Sequence, residues 1–401
     1  MLGEIENIVV LDIETTINAP SPHFGASPAH PDNRAVMYGY RSIYGEPETK
    51  TTTDFNEIAD ALLVPKDTLL VGHNLAFDLY YLFNMAERSN RLDFLNKEFY
   101  VWDTQKFYYM QTGRATVSPS LEFVAEAMSV PFKKDVEIKE RFNAGIGSDK
   151  IDEELLADYL VEDVNVTTEI FTRQGRFCKN RGSKYTLYMM EMMQGIFATT
   201  HMSRNGLCFD TDSATKEVEI LQSKQKVLTE NAIERYSKLY PEDAAIEFNI
   251  NSSLQVETLL WGGTVKTRKQ VPKLDEQGNE MFYKSGKQIG EKKMKWETGS
   301  VLITGLADKE TKEFFEKKGW ETKGGANTLK NIQKYGGDDA KQLANDILEI
   351  RKGAKSISTY YKPYIDFEVG GKIHPNYNHN ITQTGRLSSS KPNMQNISGK
   401  K

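Results

Sequence analysis

The chain has 401 residues, 39% of them apolar and 27% charged, with a net charge of −5. That length exceeds what one ordinary core serves, so two or three domains are expected. No apolar run approaches the span of a bilayer, Glu4 and Glu6 stand where a signal peptide would be basic, and two cysteines, Cys178 and Cys208, exclude a disulfide framework or a thiolate zinc cluster. No membrane partner and an intracellular, cytoplasmic setting are the expectation. The acidic net charge weighs against holding nucleic acid by bulk attraction alone, yet Gly263 to Lys295 carries nine Lys/Arg against four acidic residues. That segment reads either as a phosphate-facing surface or as a solvated charged loop.

In chain order, the first third alternates short apolar runs, "IENIVVLDI" and "DTLLVGHN", with the helically spaced "LAFDLYYLFNMAER". This predicts an α/β domain with a mixed sheet. From Ile151, "IDEELLADYLVEDVNVTTEIFTRQGRFCKN" predicts one long helix, acidic at its start and basic at its end. A second helix follows through the methionine run "MMEMM", read as core, and stops at Asn205-Gly206. Residues 262–305 read as hairpins with turn glycines, helix returns in "DAKQLANDILEIRKGAKSISTYYKPYIDF", and the tail from Gly370 is polar and loop-like.

The run "NIVVLDIETT" ends a buried strand with two carboxylates. Residues i and i+2 of a strand share a face, so Asp12 and Glu14 point together while Ile13 points into the opposite layer. Two such charges repel unless a cation, a shared proton or solvent relieves them, and hard divalent ions favour oxygen ligands of this kind. Most D-x-E pairs are merely solvated. Further on, Asn74 and Asp78 are four residues apart after a strand-like run, as are Tyr159 and Asp163 in a helical one, so a helix would carry each pair on one face. His73 reads as a polar or packing residue, and His374 and His379 lack the spacing and cysteine partners of a zinc site.

"LDIETT", "GHNLAFD" and "YLVED" resemble the three exonuclease motifs of the DEDD superfamily in its tyrosine-containing branch, which includes the proofreading domains of DNA polymerases. The resemblance implies a ribonuclease H-like α/β fold over residues 1–180. It also implies hydrolysis by two divalent ions, Mg2+ or Mn2+, that removes nucleotides from a DNA 3′ end. In it Asp12 bridges both ions, Glu14 and Asp163 complete the first site, Asp78 supports the second through water, and Tyr159 with Glu14 orients the attacking water. Asn74 and Phe77 would line the groove for the terminal nucleotides, although a core role serves Phe77 equally well.

The second half is similar to another family. "FNINSSLQVETLLWGGT", "ILEIRKGAKSISTYY", and "TGRLSS" with "PNMQNI" resemble the thumb and the start of the palm of family A DNA polymerases. This implies a mostly helical region over 181–401, with a palm base, a thumb with a hairpin insertion at 262–305, and the start of the palm at 372–401. Arg386 would sense the minor groove near the primer terminus, with Asn393, Gln395 and Asn396 near template or primer; Lys352 and Lys355 are either phosphate contacts or solvated lysines. The family has proline where Ser398 stands, and its palm aspartates fall beyond this sequence.

The resulting expectation is the amino-terminal part, or a subunit, of a family A polymerase of phage-like character: a 3′–5′ exodeoxyribonuclease acting on single-stranded 3′ ends and primer-template DNA. Nucleotide addition would then need a separate palm-and-fingers chain or a longer polypeptide. The alternatives are a DNA-clamping docking subunit with a silent exonuclease, and an RNA-trimming exonuclease of the same superfamily.

Overall fold

The run that begins at Asn7 forms the central strand of a five-stranded sheet in the computed structural model, which describes residues 5, 7–17, 25–43, 48–63, 67–132, 136–240, 248–283 and 288–397. The contacts divide the chain into two units, Met1–Thr211 with Pro363–Lys401, and Asp212–Lys362. The expected boundary at residue 180 instead falls at a junction between two helices that both pack in the first unit. Ser398 lies outside the described residues.

The sheet strands are β1 (Asn7–Thr15), β2 (Ala35–Ser42), β3 (Lys50–Thr52), β4 (Thr68–Gly72) and β5 (Tyr100–Asp103). Their spatial order is β3-β2-β1-β4-β5; β2 runs antiparallel to both β1 and β3, while β4 is parallel to β1 and β5. The parallel pairs β1–β4 and β4–β5 need crossovers, which helices supply. α1 (Phe55–Leu63) precedes β4, α2 (Ala76–Arg88) and α3 (Leu92–Leu95) lie between β4 and β5, and α4 (Thr104–Gln111), α5 (Leu121–Ala127) and α6 (Val136–Asn143) follow β5. The long helix expected from Ile151 is α7 (Glu153–Arg181), capped by Asp152, whose carboxylate accepts from the Glu154 and Leu155 amides. It is followed by α8 (Ser183–Asn205), which ends at Gly206 with φ 64°.

Val9, Val10, Leu70, Val71 and Val101 of the sheet pack with Leu79, Leu82 and Phe83 of α2 and with Met189, Met190 and Met193 of α8, so three methionines of the run are core while Met192 is exposed. Burial of this kind stabilises by about 25 cal/mol per Å² of apolar surface. A buried polar clamp fixes α7 to the sheet: Trp102 Nε1 donates to Gln174 Oε1 at 2.8 Å, and Gln174 Nε2 donates to the Thr104 carbonyl at 2.9 Å.

The second unit holds α9 (Thr211–Ser237), α10 (Ser253–Trp261), α11 (Lys309–Lys318), α12 (Ala326–Tyr335) and α13 (Asp338–Lys355). Its own core joins Tyr236, Phe248, Leu259, Leu260, Phe315, Leu329 and Ile347. The predicted hairpin insertion is a long ribbon of two strands, paired from Gly263↔Ile303 to Pro272↔Met294, anchored at its base by buried Val265 and Ile303. Lys352 and Lys355 are exposed on α13.

The tail departs from the loop expected of it. The first unit's short β6 (Leu207–Cys208) pairs with Lys372–Ile373, which also pairs with Glu368–Val369, and Asn376–Asn378 pairs with Ser388–Ser390. Two- and three-residue strands lie below what side-chain alternation can signal, so they form here by docking on the rest of the unit.

Candidate active site

Asp12 and Glu14 sit near the end of β1 opposite Gly39 and Met37 of β2, and Ile13 is buried in the other layer, as the alternation requires. Directly opposed residues of antiparallel strands share a face, so Gly39 lies on the carboxylate side. A Cβ there would stand 2.6 Å from Leu160 Cγ and 3.1 Å from Val164 Cγ2. The missing side chain therefore lets α7 lie close over β2, which carries Tyr159 and Asp163 toward the β1 carboxylates.

Asp78 enters from the first turn of α2. Asn74 does not share that helix: α2 begins at Ala76, and Asn74 stands before it with φ 64°, a left-handed conformation that Asn tolerates through local hydrogen bonding. The expected Asn74–Asp78 pairing on one helix face is thus corrected. The turn is held by Asp103, whose carboxylate accepts from the amides of Asn74 at 3.3 Å and Leu75 at 3.0 Å, and caps α4 through Gln105 at 2.9 Å and Lys106 at 3.1 Å. Phe77 is half-buried and meets Tyr81 edge-on with centroids 5.1 Å apart, so it both packs on the core and lines an open cavity.

The acidic groups share one electrostatic neighbourhood. Burial raises Asp12 to about 6 against a hydrogen bond from the Ile13 backbone, and burial followed by the Asp12 charge raises Glu14 to about 8. Asp163 is pushed up to about 8 by burial and then by Asp12 and Glu14, and Asp78 lies well above the usual carboxylate range from burial and then Asp12. Tyr159 is pushed above the usual phenol range by burial and then by Asp163, so it is a neutral donor rather than a base. These mutual effects bring together Asp12, Glu14, Asp78, Tyr159 and Asp163, the five residues expected of the three motifs.

Their donor chemistry suits a hard divalent cation. The oxygens are carboxylate, their accumulated negative charge is costly in a low-dielectric site, and Asp163 Oδ1 is buried with no hydrogen-bond partner. Among the described residues, no three His, Cys, Asp or Glu side chains are already gathered around a point that an ion would occupy.

Sequence reasoning missed Ser148. It is 2% exposed on the short 3-10 turn Ser148–Lys150, and its Oγ donates to Glu14 Oε2 at 2.8 Å. A Cβ on Gly147 would come within 2.6 Å of the Ile17 amide, so this turn closes directly on the chain leaving β1. Nothing in the sequence ties positions 14 and 148, whereas the Asp103-Thr104 step before a helical run is a readable cap signal.

The remaining expected residues lie elsewhere in the first unit. Arg386 is exposed, and the Thr382 hydroxyl donates to its carbonyl at 2.6 Å. Beside it Gly385 has φ 73°, and any Cβ would collide with the Arg114 guanidinium, which donates to the Thr384 carbonyl at 3.1 Å. Asn393, Gln395 and Asn396 are exposed; Asn393 Oδ1 accepts from the Gln395 amide at 3.0 Å. None of these touches the carboxylate cluster among the described contacts. His73 is held between Thr104 Oγ1 at 2.9 Å and the Pro119 carbonyl at 3.1 Å, in a packing role.

An α/β unit with acidic groups at a strand end, joined to a mainly helical unit, defines the class of this chain. Residues 274–401 match the family described as DNA polymerase family A. The chain is 23% identical over 350 residues to the DNA polymerase of Bacillus phage SP01, covering 83% of this chain and 34% of that protein. It is 43% identical over 61 residues to the thermostable DNA polymerase I of Thermus aquaticus, which is 15% of this chain and 7% of that one. For DNA polymerase I of Lactococcus lactis subsp. cremoris the identity is 54% over 52 residues, 13% and 6% of the respective chains. The fold resembles the POL domain of Pol1 from M. smegmatis, solved in complex with DNA primer-template and dNTP, with a TM-score of 0.57 at 14% identity over 98% of this chain and 53% of that one. Residues 274–401 are thus similar to family A DNA polymerases, and the chain spans about a third of the phage relative's length. No helix among the described residues is long and apolar enough to cross a membrane.

Proposed function

We propose that the chain carries the 3′–5′ proofreading exonuclease of a family A DNA polymerase, together with part of its primer-template binding region. The observation that carries this reading is the convergence of Asp12 and Glu14 from β1, Asp78 from α2, and Tyr159 and Asp163 from α7. The β3-β2-β1-β4-β5 order supports a ribonuclease H-like fold for that unit. In this reading Asp12, Glu14, Asp78 and Asp163 hold two divalent ions, Mg2+ or Mn2+, which supply an activated water and stabilise the leaving oxygen of the phosphodiester. The chain's own residues do the positioning. Ser148 fixes one Glu14 oxygen, and Tyr159, held protonated, donates a hydrogen bond to the attacking water. Asn74 and Phe77 sit at the mouth of α2 where the terminal nucleotides lie, and Arg386 meets the minor groove of primer-template DNA, with Asn393, Gln395 and Asn396 beside the strands.

Asp12→Ala is expected to abolish magnesium-dependent shortening of a 3′-labelled single-stranded DNA oligonucleotide while the circular dichroism spectrum stays unchanged. Wild-type degradation by that variant overturns the assignment. Equal degradation of a matched RNA oligonucleotide by the native chain overturns the DNA substrate.

A further inference from the structure

A cavity of about 260 Å³ lies in the first unit between the start of α2, α8 and the Asn376–Asn378 strand; Asp103 is on its wall, and none of the four site carboxylates is. Lys106, on its wall, is 4% exposed. Its ammonium donates to the Met192 carbonyl and, at 3.1 Å, to His379 Nδ1. Because Nδ1 accepts, the ring proton sits on Nε2, which donates to Thr199 Oγ1 at 2.7 Å; that hydroxyl donates on to the Gly195 carbonyl at 2.9 Å. His379 is therefore neutral and is no counter-charge.

Lys106 forms no ion pair among the described residues. The acid whose charge reaches it, Asp103, spends its carboxylate on four backbone amides. An ammonium has three N–H donors, and the third here has no protein acceptor among the described residues. A buried cation with an unused donor at a cavity wall is costly unless an anion completes it. Lys391 adds a second positive charge to the wall, while Phe77 and Tyr377 supply flat apolar surface.

We propose that this cavity binds a nucleoside monophosphate, with its phosphate on Lys106 and Lys391 and its base against Phe77 and Tyr377. The phosphate follows from the cations and their placement. The nucleoside rests on the exonuclease reading, since hydrolysis from a 3′ end releases one such product per cycle.

The test is calorimetric titration of the full chain carrying Asp12→Ala, without added metal, using dAMP, inorganic phosphate and deoxyadenosine as separate probes. The expected order of affinity is dAMP above phosphate above deoxyadenosine. Adding Lys106→Met is expected to weaken dAMP and phosphate at least tenfold and leave deoxyadenosine unchanged, at a melting temperature within about 3 °C, since the hydrogen bonds lost to Met192 and His379 are offset by the removal of a buried charge. Absence of dAMP binding, equal binding of dAMP and deoxyadenosine, or undiminished dAMP binding by the folded Lys106→Met variant overturns the proposal. If that variant does not fold, exposed Lys391→Gln decides: about threefold weaker dAMP binding supports the site, and no change overturns it. The phosphate arm contains no DNA and no metal, so its failure is distinct from retained degradation by Asp12→Ala, which removes the exonuclease reading alone.

Discussion

Glu14 is held from two sides, by the rigid strand that carries it and by Ser148, whose hydroxyl reaches it across 134 positions of sequence at 2.8 Å. A hydrogen bond to a charged group is worth about 1.5–3 kcal/mol, which converts to roughly 10- to 100-fold in rate if it is needed to orient the carboxylate. Ser148→Ala is therefore expected to lower kcat for single-stranded DNA by about that factor with KM nearly unchanged, and to weaken Mn2+ binding in a titration followed by paramagnetic resonance. Unchanged kcat and Mn2+ affinity reduce Ser148 to a packing residue. His379 gives a pH signature. Burial and then the Lys106 charge push it down to about 3, whereas an unfolded histidine protonates near 6.5. As the pH falls, the unfolded chain takes up this proton first, so stability is fully present above about 6.5 and is lost progressively toward 3. The slope is about 1.4 kcal/mol per pH unit, or about 2 kcal/mol between pH 6.5 and 5. Urea unfolding of native and His379→Gln chains at both pH values measures it, and the variant is expected to lose less by that amount.

Among the elements, α7 is placed by what β2 lacks. Gly39→Ala sets a methyl 2.6 Å from Leu160 Cγ and pushes Tyr159 and Asp163 away from β1. The expected cost is about 1–3 kcal/mol, typical of overpacking, with at least tenfold loss of nuclease rate. Gly175→Ala, on the same helix with nothing within 4 Å, is the control, expected to gain up to about 1 kcal/mol with activity intact. Equal behaviour of the two variants in thermal melts and nuclease assays removes the role given to Gly39. Legibility in the sequence follows the same line. The β1 alternation that puts Asp12 and Glu14 together, the length of α7 and its Tyr159–Asp163 spacing depend on nearby residues, so they can be read directly. Gly39 beneath Leu160 and Ser148 on Glu14 are contacts between distant segments with no local pattern. Helical spacing misplaces Asn74 because it says nothing of a left-handed residue that ends the preceding turn. The tail strands, two or three residues long, exist only through their partners.

At the scale of the whole molecule, the second unit is an excursion from the first. The chain leaves after β6 and returns at Pro363, and the two ends are neighbours within the first unit: the Phe209 amide donates to the Gly371 carbonyl at 2.9 Å, and the Phe209 and Tyr364 rings meet edge-on with centroids 6.1 Å apart. The family A match over 274–401 crosses this boundary, so its "TGRLSS" segment belongs to the same unit as the carboxylates although helices α11 to α13 do not. Each unit has its own buried cluster, which is the physical requirement for folding alone. Closely spaced exit and return points mean that a short link can replace the excursion at little entropic cost, because loop closure grows only with the logarithm of length. Replacing residues 213–361 with a flexible linker of about six Gly/Ser residues, long enough to span neighbouring ends, is expected to leave a cooperatively folding protein. It should retain metal-dependent degradation of a short single-stranded oligonucleotide within about threefold, since all five site residues remain. Binding to primer-template duplex, followed by fluorescence anisotropy, should weaken by at least tenfold as the exposed Lys352, Lys355 and the ribbon lysines are removed. Loss of nuclease activity in a folded linker variant would place part of the exonuclease within residues 213–361, and undiminished duplex binding would locate the DNA surface wholly on the first unit.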